Sequence, residues 1–216
     1  MPSFHPSQTL LMDYAAGSLG EASAVLIATH VSLCPECRAE AARIEAVGGA
    51  LIETIEPVPL AHDGMAAVLR KLDERPDAPA PIPSFDAETQ RLVPAPLRRH
   101  LGGNLEDIRW RSLGAVRQID LAVTQAGGHA RLLRLKGGAK VPRHSHDGLE
   151  MIIVLAGGFS DQSGHYLRGD VAVAGSDITH APVADAGEDC ICFAVVDGSI
   201  KLSGPLGRLV NLFVRT

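Results

Sequence analysis

Apolar residues recur three and four positions apart between residues 7 and 74, which is the period of amphipathic α-helices. Ser7 is a suitable N-cap for the first helix, Pro35 suits the first position of a later one, and Asp63 can cap the last. The predicted apolar faces are Leu10, Leu11, Tyr14 and Ala15; Ala22, Val25, Leu26 and Thr29; Ile44, Val47, Leu51, Ile52 and Ile55; and Met65, Val68, Leu69 and Leu72. We therefore predict an all-α domain of four helices over residues 1–75.

The helical period of apolar residues ends at a proline-rich segment, and a different pattern follows it. Pro76, Pro79, Pro81 and Pro83 cannot continue a helix, so we predict an extended linker over residues 76–84.

The remaining residues, 85–216, show short apolar stretches separated by glycine turns such as Gly127-Gly128 and Gly157-Gly158. Predicted strands include Ala130–Leu135, Met151–Leu155, Val171–Val173, Cys190–Val196 and Leu209–Val214. Many short strands at regular spacing predict an all-β sandwich or barrel as a second domain.

Composition and charge favour a protein partner over nucleic acid. Apolar residues make up 46% of the chain, which is enough for a core, and aromatic residues only 4%. The first 75 residues carry five bases and ten acids, a net charge of −5, whereas residues 76–216 carry fifteen of each. An acidic helical segment repels nucleic acid and suits a basic protein partner, although a solvated helix surface would show the same charge.

Neither a membrane-spanning segment nor a signal peptide is predicted from the sequence. No apolar run approaches the ~18 to 20 residues that a membrane span needs. The first residues, Met1 to His5, show neither a basic start nor an apolar signal core. We therefore expect a cytoplasmic protein whose four cysteines stay reduced unless they bind metal.

A first cluster of metal-ligand residues is His30-x3-Cys34-x2-Cys37. With Cys34 at an N-cap and Cys37 in the first helical turn, backbone N–H groups and the helix dipole favour thiolates. Zinc in a structural site takes four nitrogen or sulfur ligands, and His5 is a better candidate for the fourth than His62. The alternatives are a redox pair, which usually accompanies a βαβ pattern, or two buried thiols.

A second cluster comprises His144, His146, Glu150 and His180. Residues two apart on a strand face the same side, so the first two histidines share one face. Glu150 begins the next predicted strand, and His180 follows a further hairpin. Three imidazoles and one carboxylate suit zinc, iron, manganese or nickel. His165 could line the same cavity.

Cys190 and Cys192 lie two apart on a predicted strand and should share a face. We expect two small apolar core residues, with a redox-active pair as the alternative. Cysteines so close on one strand rarely meet disulfide geometry.

Two family resemblances attach to these clusters. The first cluster, within an acidic helical domain, resembles the zinc-binding anti-sigma factors, and the resemblance implies zinc on His5, His30, Cys34 and Cys37. The second resembles the cupin family, whose first motif, G-x5-H-x-H-x3-E-x6-G, is matched in full by Gly138, His144, His146, Glu150 and Gly157. The second cupin motif retains only Gly169 and His180, with Gly175, Asp177 and Ala184 at the remaining positions.

The two domains together resemble the ChrR-type anti-sigma factors. The resemblance implies a cupin fold, a double-stranded β-helix or jelly-roll barrel, behind the helical domain, with zinc in both sites. It implies a regulator rather than an enzyme, which binds an extracytoplasmic-function sigma factor one to one and touches neither nucleic acid nor membrane directly. The cupin domain would release the sigma factor on a stress signal such as singlet oxygen or another oxidant, and could also pair two copies.

Two other functions remain open from the residues alone. One is a metal-dependent cupin dioxygenase, with iron or nickel on the second cluster and a helical regulatory module. The other is a small-molecule sensor whose partner is not a sigma factor.

Overall fold

The computed structural model describes residues 1–74, 84–123 and 128–202. The predicted linker over residues 76–84, apart from Ser84, lies outside these residues, and so does the predicted strand Leu209–Val214. In the described part, helices come first and an antiparallel β-sandwich follows.

The helices are α1 (Gln8–Ala15), α2 (Glu21–Leu33), α3 (Pro35–Glu53), α4 (Gly64–Asp73), α5 (Ala87–Leu92) and α6 (Ala95–Arg98). Ser7 caps α1 as predicted, because its side chain accepts a hydrogen bond from the backbone N–H of Leu10. The described residues hold six helices. Four of them lie within residues 1–74, and α5 and α6 lie in the region predicted to be all-β, so that part of the prediction was wrong. The two additional ones were not predicted because they are too short, at six and four residues, to show a helical period.

The strands form three antiparallel sheets. They are β1 (Arg111–Leu113), β2 (Val116–Asp120), β3 (His129–Leu135), β4 (His144–His146), β5 (Glu150–Ala156), β6 (Gly158–Ser160), β7 (His165–Leu167), β8 (Val171–Ala174), β9 (Thr179–His180), β10 (Val183–Ala184), β11 (Cys190–Val196) and β12 (Ile200–Leu202). The large sheet has the order β1-β2-β3-β11-β5-β8, and the two small sheets have the orders β10-β6-β7 and β12-β4-β9.

The large sheet is buried on both faces at its centre. Every residue of β11 is buried, and so is every residue of β5 except Ala156. One face, with Ile153 and Phe193, packs against the helices, and the other, with Val154 and Cys192, packs toward β6 and β7. Burial on both faces explains why these strands are uninterrupted apolar runs rather than alternating ones.

Helix α2 joins the two halves of the molecule. It contacts α3 and α6 and also the central strands β5 and β11. Leu26 and Ile27 are fully buried in this contact. The helical region therefore shares its core with the sandwich. None of the described helices is both long and apolar enough to cross a lipid bilayer.

Candidate metal centres

The structure brings His5, His30, Cys34 and Cys37, here called the N-terminal site, into one cluster. One ligand atom from each residue lies within 4.8 Å of the others. Cys34 follows the last residue of α2 and caps α3, and its Sγ accepts a hydrogen bond from the backbone N–H of Cys37 at 3.5 Å. Pro35 occupies the first turn of α3, as the sequence predicted. This junction between two helices places both sulfurs side by side.

The imidazole of His30 is oriented for a metal ion. Its Nδ1 donates to the carbonyl of Gly169 at 2.7 Å, which leaves Nε2 with a free lone pair. That Nε2 is buried and has no hydrogen-bond partner within the described residues. A buried, unpaired nitrogen costs free energy unless it is satisfied, so the atom fits a metal ligand.

The pKa shifts at the N-terminal site differ between the imidazole and the thiol: the first suits a metal ligand, and the second means that a cation must displace a proton. Burial lowers the pKa of His30 and keeps the imidazole neutral. Burial, reinforced by the neighbouring Cys34, raises the pKa of Cys37 to about 12. Without a metal ion this thiol keeps its proton, and a bound divalent cation would favour the thiolate instead. His5 Nδ1 lies 3.5 Å and 3.4 Å from the sulfurs of Cys34 and Cys37 and completes the set.

The structure also brings together His144, His146, Glu150 and His180, here called the C-terminal site, and all four are buried. The Nε2 atoms of His146 and His180 lie 3.1 Å and 3.2 Å from Oε2 of Glu150. The Nε2 atoms of His144 and His180 are 3.1 Å apart, because these residues are paired between β4 and β9. Three imidazoles and a carboxylate therefore converge from three strands.

Two outer contacts orient this cluster. His144 Nδ1 donates to the carbonyl of Pro142 at 2.7 Å, and His180 Nδ1 lies 3.1 Å from Oδ2 of Asp161, whose side chain is 4% exposed. With protons on Nδ1, both rings direct the lone pair of Nε2 inward, which is the usual arrangement of metal-bound histidines. The sequence analysis missed Asp161, because no local spacing links it to His180.

The charges in the C-terminal site compensate one another. Burial would raise the pKa of Glu150, but hydrogen bonds from His146 and His180 outweigh it and lower the pKa to about 2. Burial lowers the pKa of His144. Burial acts in the same direction on His180, yet Glu150 and Asp161 outweigh it and raise the pKa of His180 overall. An ionised carboxylate among imidazoles is the donor set of a divalent cation.

Two glycines of the cupin-like motifs lie at positions whose backbone conformation favours glycine. Gly157 and Gly169 have φ of 60° and 91°, a region that other residues rarely adopt. A Cβ on Gly157 would lie 2.8 Å from the carbonyl oxygen of Asp189. The departures at Gly175 and Asp177 leave His180 in place, because its strand pairs with β4.

Other residues singled out from the sequence lie outside both sites. His165 is exposed on β7 with its Nε2 2.7 Å from Oδ2 of Asp185, so the prediction that it lines the cavity was wrong. His62 is exposed. The sulfurs of Cys190 and Cys192 lie 3.4 Å apart, fully buried among apolar side chains, as two core residues on one face.

Comparison with known proteins identifies both halves. The model of the ChrR cupin-like domain family matches residues 99–199, and a zinc-finger family model matches residues 7–38. The anti-sigma-E factor ChrR of Cereibacter sphaeroides is 44% identical over 214 residues, which cover 98% of this chain and 97% of the relative. The crystal structure of Rhodobacter sphaeroides SigE in complex with the anti-sigma factor ChrR matches with a TM-score of 0.79 at 43% identity, covering 91% of this chain and all of that one.

Proposed function

This chain belongs to the ChrR family of anti-sigma factors, and on that premise we propose that it binds and inhibits an extracytoplasmic-function sigma factor, one to one, in the cytoplasm. The solved relative with the same architecture was crystallised with its partner SigE. In this proposal residues 1–75 form the four-helix unit that holds the sigma factor. Residues 76–84 link it to the cupin jelly roll of residues 85–216.

The observation that carries the proposal is an exposed apolar surface on the last helical elements, here called the docking face. No residue of α4 is buried. The large apolar side chains exposed on α3, on α4 and between them are Val47, Leu51, Ile52, Ile55, Val58, Leu60, Met65, Val68, Leu69 and Leu72. Ten exposed large apolar side chains within 26 residues support a protein-binding surface here. It lies in the segment that carries the whole net charge of −5, so it suits an apolar and basic partner.

Zinc at the N-terminal site would fix the helix junction from which the docking face extends. Two thiolates and two imidazoles are the ligands of structural zinc, and here they connect residue 5 and the end of α2 to the start of α3. At the C-terminal site we also assign zinc, with iron, nickel and manganese as alternatives that the donor set allows.

The cupin domain is proposed to receive the stress signal. An oxidant, singlet oxygen included, would alter the state of this domain and thereby weaken the hold on the sigma factor. Such a signal acts only by favouring one of two conformations.

The test is direct. The full chain is purified with the extracytoplasmic-function sigma factor of the same genome, and complex formation and transcription by the sigma-containing polymerase are measured. We expect a one-to-one complex and inhibited transcription. A folded, metal-loaded chain that binds no such sigma factor would contradict the proposal. Elemental analysis with oxygen-consumption measurements tests the alternative, because a dioxygenase would hold stoichiometric iron or nickel and consume oxygen.

A further inference from the structure

We propose that the turn between β7 and β8, residues 168–170 of the cupin domain, is an outer part of the N-terminal metal centre and positions two of its four ligands. The inference rests on metal occupancy of that site, as proposed above. It goes further in assigning the ligand geometry of the helical domain to contacts made by the sandwich.

The first ligand held by this turn is His30. Its Nδ1 donates to the carbonyl of Gly169 at 2.7 Å, across a sequence separation of 139 residues. Residues that accept the second N–H of a ligating histidine fix the tautomer and the direction of the ring. Here the acceptor belongs to the other domain, so the sandwich sets the direction in which Nε2 points.

The second ligand is His5, carried by residues 2–5, here called the N-terminal arm. Oδ1 of Asp170 accepts the backbone N–H groups of Ser3 at 2.6 Å and Phe4 at 3.0 Å. The N–H of Val171 donates in return to the carbonyl of Phe4 at 3.0 Å. His5 is the next residue, so these three bonds fix the backbone immediately before a ligand.

Asp170 is only 3% exposed, and its two oxygens serve different parts of the chain. While Oδ1 holds the arm, Oδ2 accepts the N–H of Leu167 at 2.8 Å within its own turn. Hydrogen bonds to a charged acceptor are stronger than neutral ones. A single buried carboxylate therefore ties the geometry of the turn to the geometry of the arm.

Packing holds the arm in the same place. The ring centroid of Phe4 lies 4.5 Å from that of Tyr166, which in turn stacks on Phe159 at 4.9 Å. A Cβ on Gly164 would lie 2.7 Å from Phe4, and one on Gly169 would lie 2.8 Å from Pro2. Gly164 and Gly169 therefore leave room for the side chains of Phe4 and Pro2, which a larger residue at either position would displace.

The turn is also connected to the C-terminal site. It leads into β8, which pairs with β5, and Glu150 is opposite Ala174 in that pairing. Displacement of β8 would therefore reach both metal centres through the backbone. Because such coupling is reciprocal, metal binding at the N-terminal site should also strengthen the docking of the arm on the sandwich.

The experiment is a cobalt(II) titration of the full chain. A thiolate-to-cobalt absorption band reports the N-terminal site, since the C-terminal site has no sulfur ligand, and its loss in a Cys34→Ser, Cys37→Ser variant verifies the assignment. We compare Phe4→Ala and Asp170→Ala with Asp189→Ala, which removes a carboxylate of the same sandwich that pairs with Arg134 and not with the arm. We expect Phe4→Ala and Asp170→Ala to weaken cobalt binding about 10- to 100-fold, and Asp189→Ala to leave the thiolate band unchanged.

Phe4→Ala protects the test against misfolding, because the side chain lies at the edge of the sandwich and circular dichroism verifies the fold. Wild-type affinity in a folded Phe4→Ala and a folded Asp170→Ala overturns the inference while leaving the proposed function standing. No thiolate band in the wild-type chain overturns both the inference and the proposed metal at the N-terminal site, and sigma-factor binding still tests the proposed function separately. An equal loss in Asp189→Ala shows a general effect of destabilising the sandwich and also overturns the inference.

Discussion

Replacing Leu69 and Leu72 of α4 with alanine should weaken the complex with the sigma factor without affecting the fold. Both side chains belong to the docking face, with exposed fractions of 53% and 74%. Alanine favours helix more than leucine does, and neither side chain is buried in the free protein. We therefore expect the free energy of unfolding to change by less than about 0.5 kcal/mol.

The loss of binding free energy follows from the leucine surface that is exposed in the free protein and would be buried by the sigma factor. Burying a complete leucine side chain contributes about 1.5 to 3 kcal/mol, and alanine keeps one of the four side-chain carbons. Scaled by the exposed fractions of Leu69 and Leu72, the double substitution removes roughly 1.5 to 3 kcal/mol of binding free energy. This corresponds to a dissociation constant about 10- to 100-fold higher.

The assay is isothermal titration of the purified sigma factor with each variant, together with inhibition of transcription. Leu113→Ala on β1 is the matched control, because that leucine is 64% exposed but lies on the sandwich. If the double variant retains wild-type affinity while folded, α4 is not part of the sigma-binding surface. Equal weakening by Leu113→Ala would also refute the assignment.

Three further predictions concern the metal and the core. Chelation should lower the melting temperature by about 10 °C or more in thermal unfolding followed by circular dichroism, since a structural zinc site contributes several kcal/mol. Burial raises the pKa of Cys37 to about 12, so this thiol must release a proton when metal binds near neutral pH. That one proton should make the metal affinity of the N-terminal site rise about tenfold for each pH unit. Chelator competition between pH 6 and 8 checks this, and a flat profile would contradict it. Leu26→Ala should reduce the free energy of unfolding by about 2 to 5 kcal/mol in denaturant titrations, because Leu26 is fully buried.

The clustering of neighbouring candidate ligands could be predicted because local spacing determines it. Cys34 and Cys37 share one helix start, and His144 and His146 share one strand face, so periodicity alone predicts that each pair meets. The position of the clusters along the chain also indicated two domains. His5 and His180, in contrast, join their clusters from a distance along the chain that spacing alone does not bridge.

The residues around the ligands could not be predicted. Asp161 reaches His180 across 19 positions, and Asp170 reaches Ser3 across 167. These contacts depend on how strands and domains pack, and no local pattern records that. The expectation for His165 was wrong because a turn can place either face of a short strand inward, and here Tyr166 is the buried residue.

Helix α2 lies between the N-terminal site and the large sheet, and its packing should keep the two halves of the molecule associated. Leu26 and Ile27, together with Val93 and Leu97, are sealed in a common interior. Pulling the halves apart would hydrate all of these side chains at about 1.5 to 3 kcal/mol for each large one. Proteolytic nicking between residues 74 and 84 should therefore yield two fragments that still migrate together under native conditions. We expect the shared interior, rather than the peptide bond at that point, to hold the two fragments together.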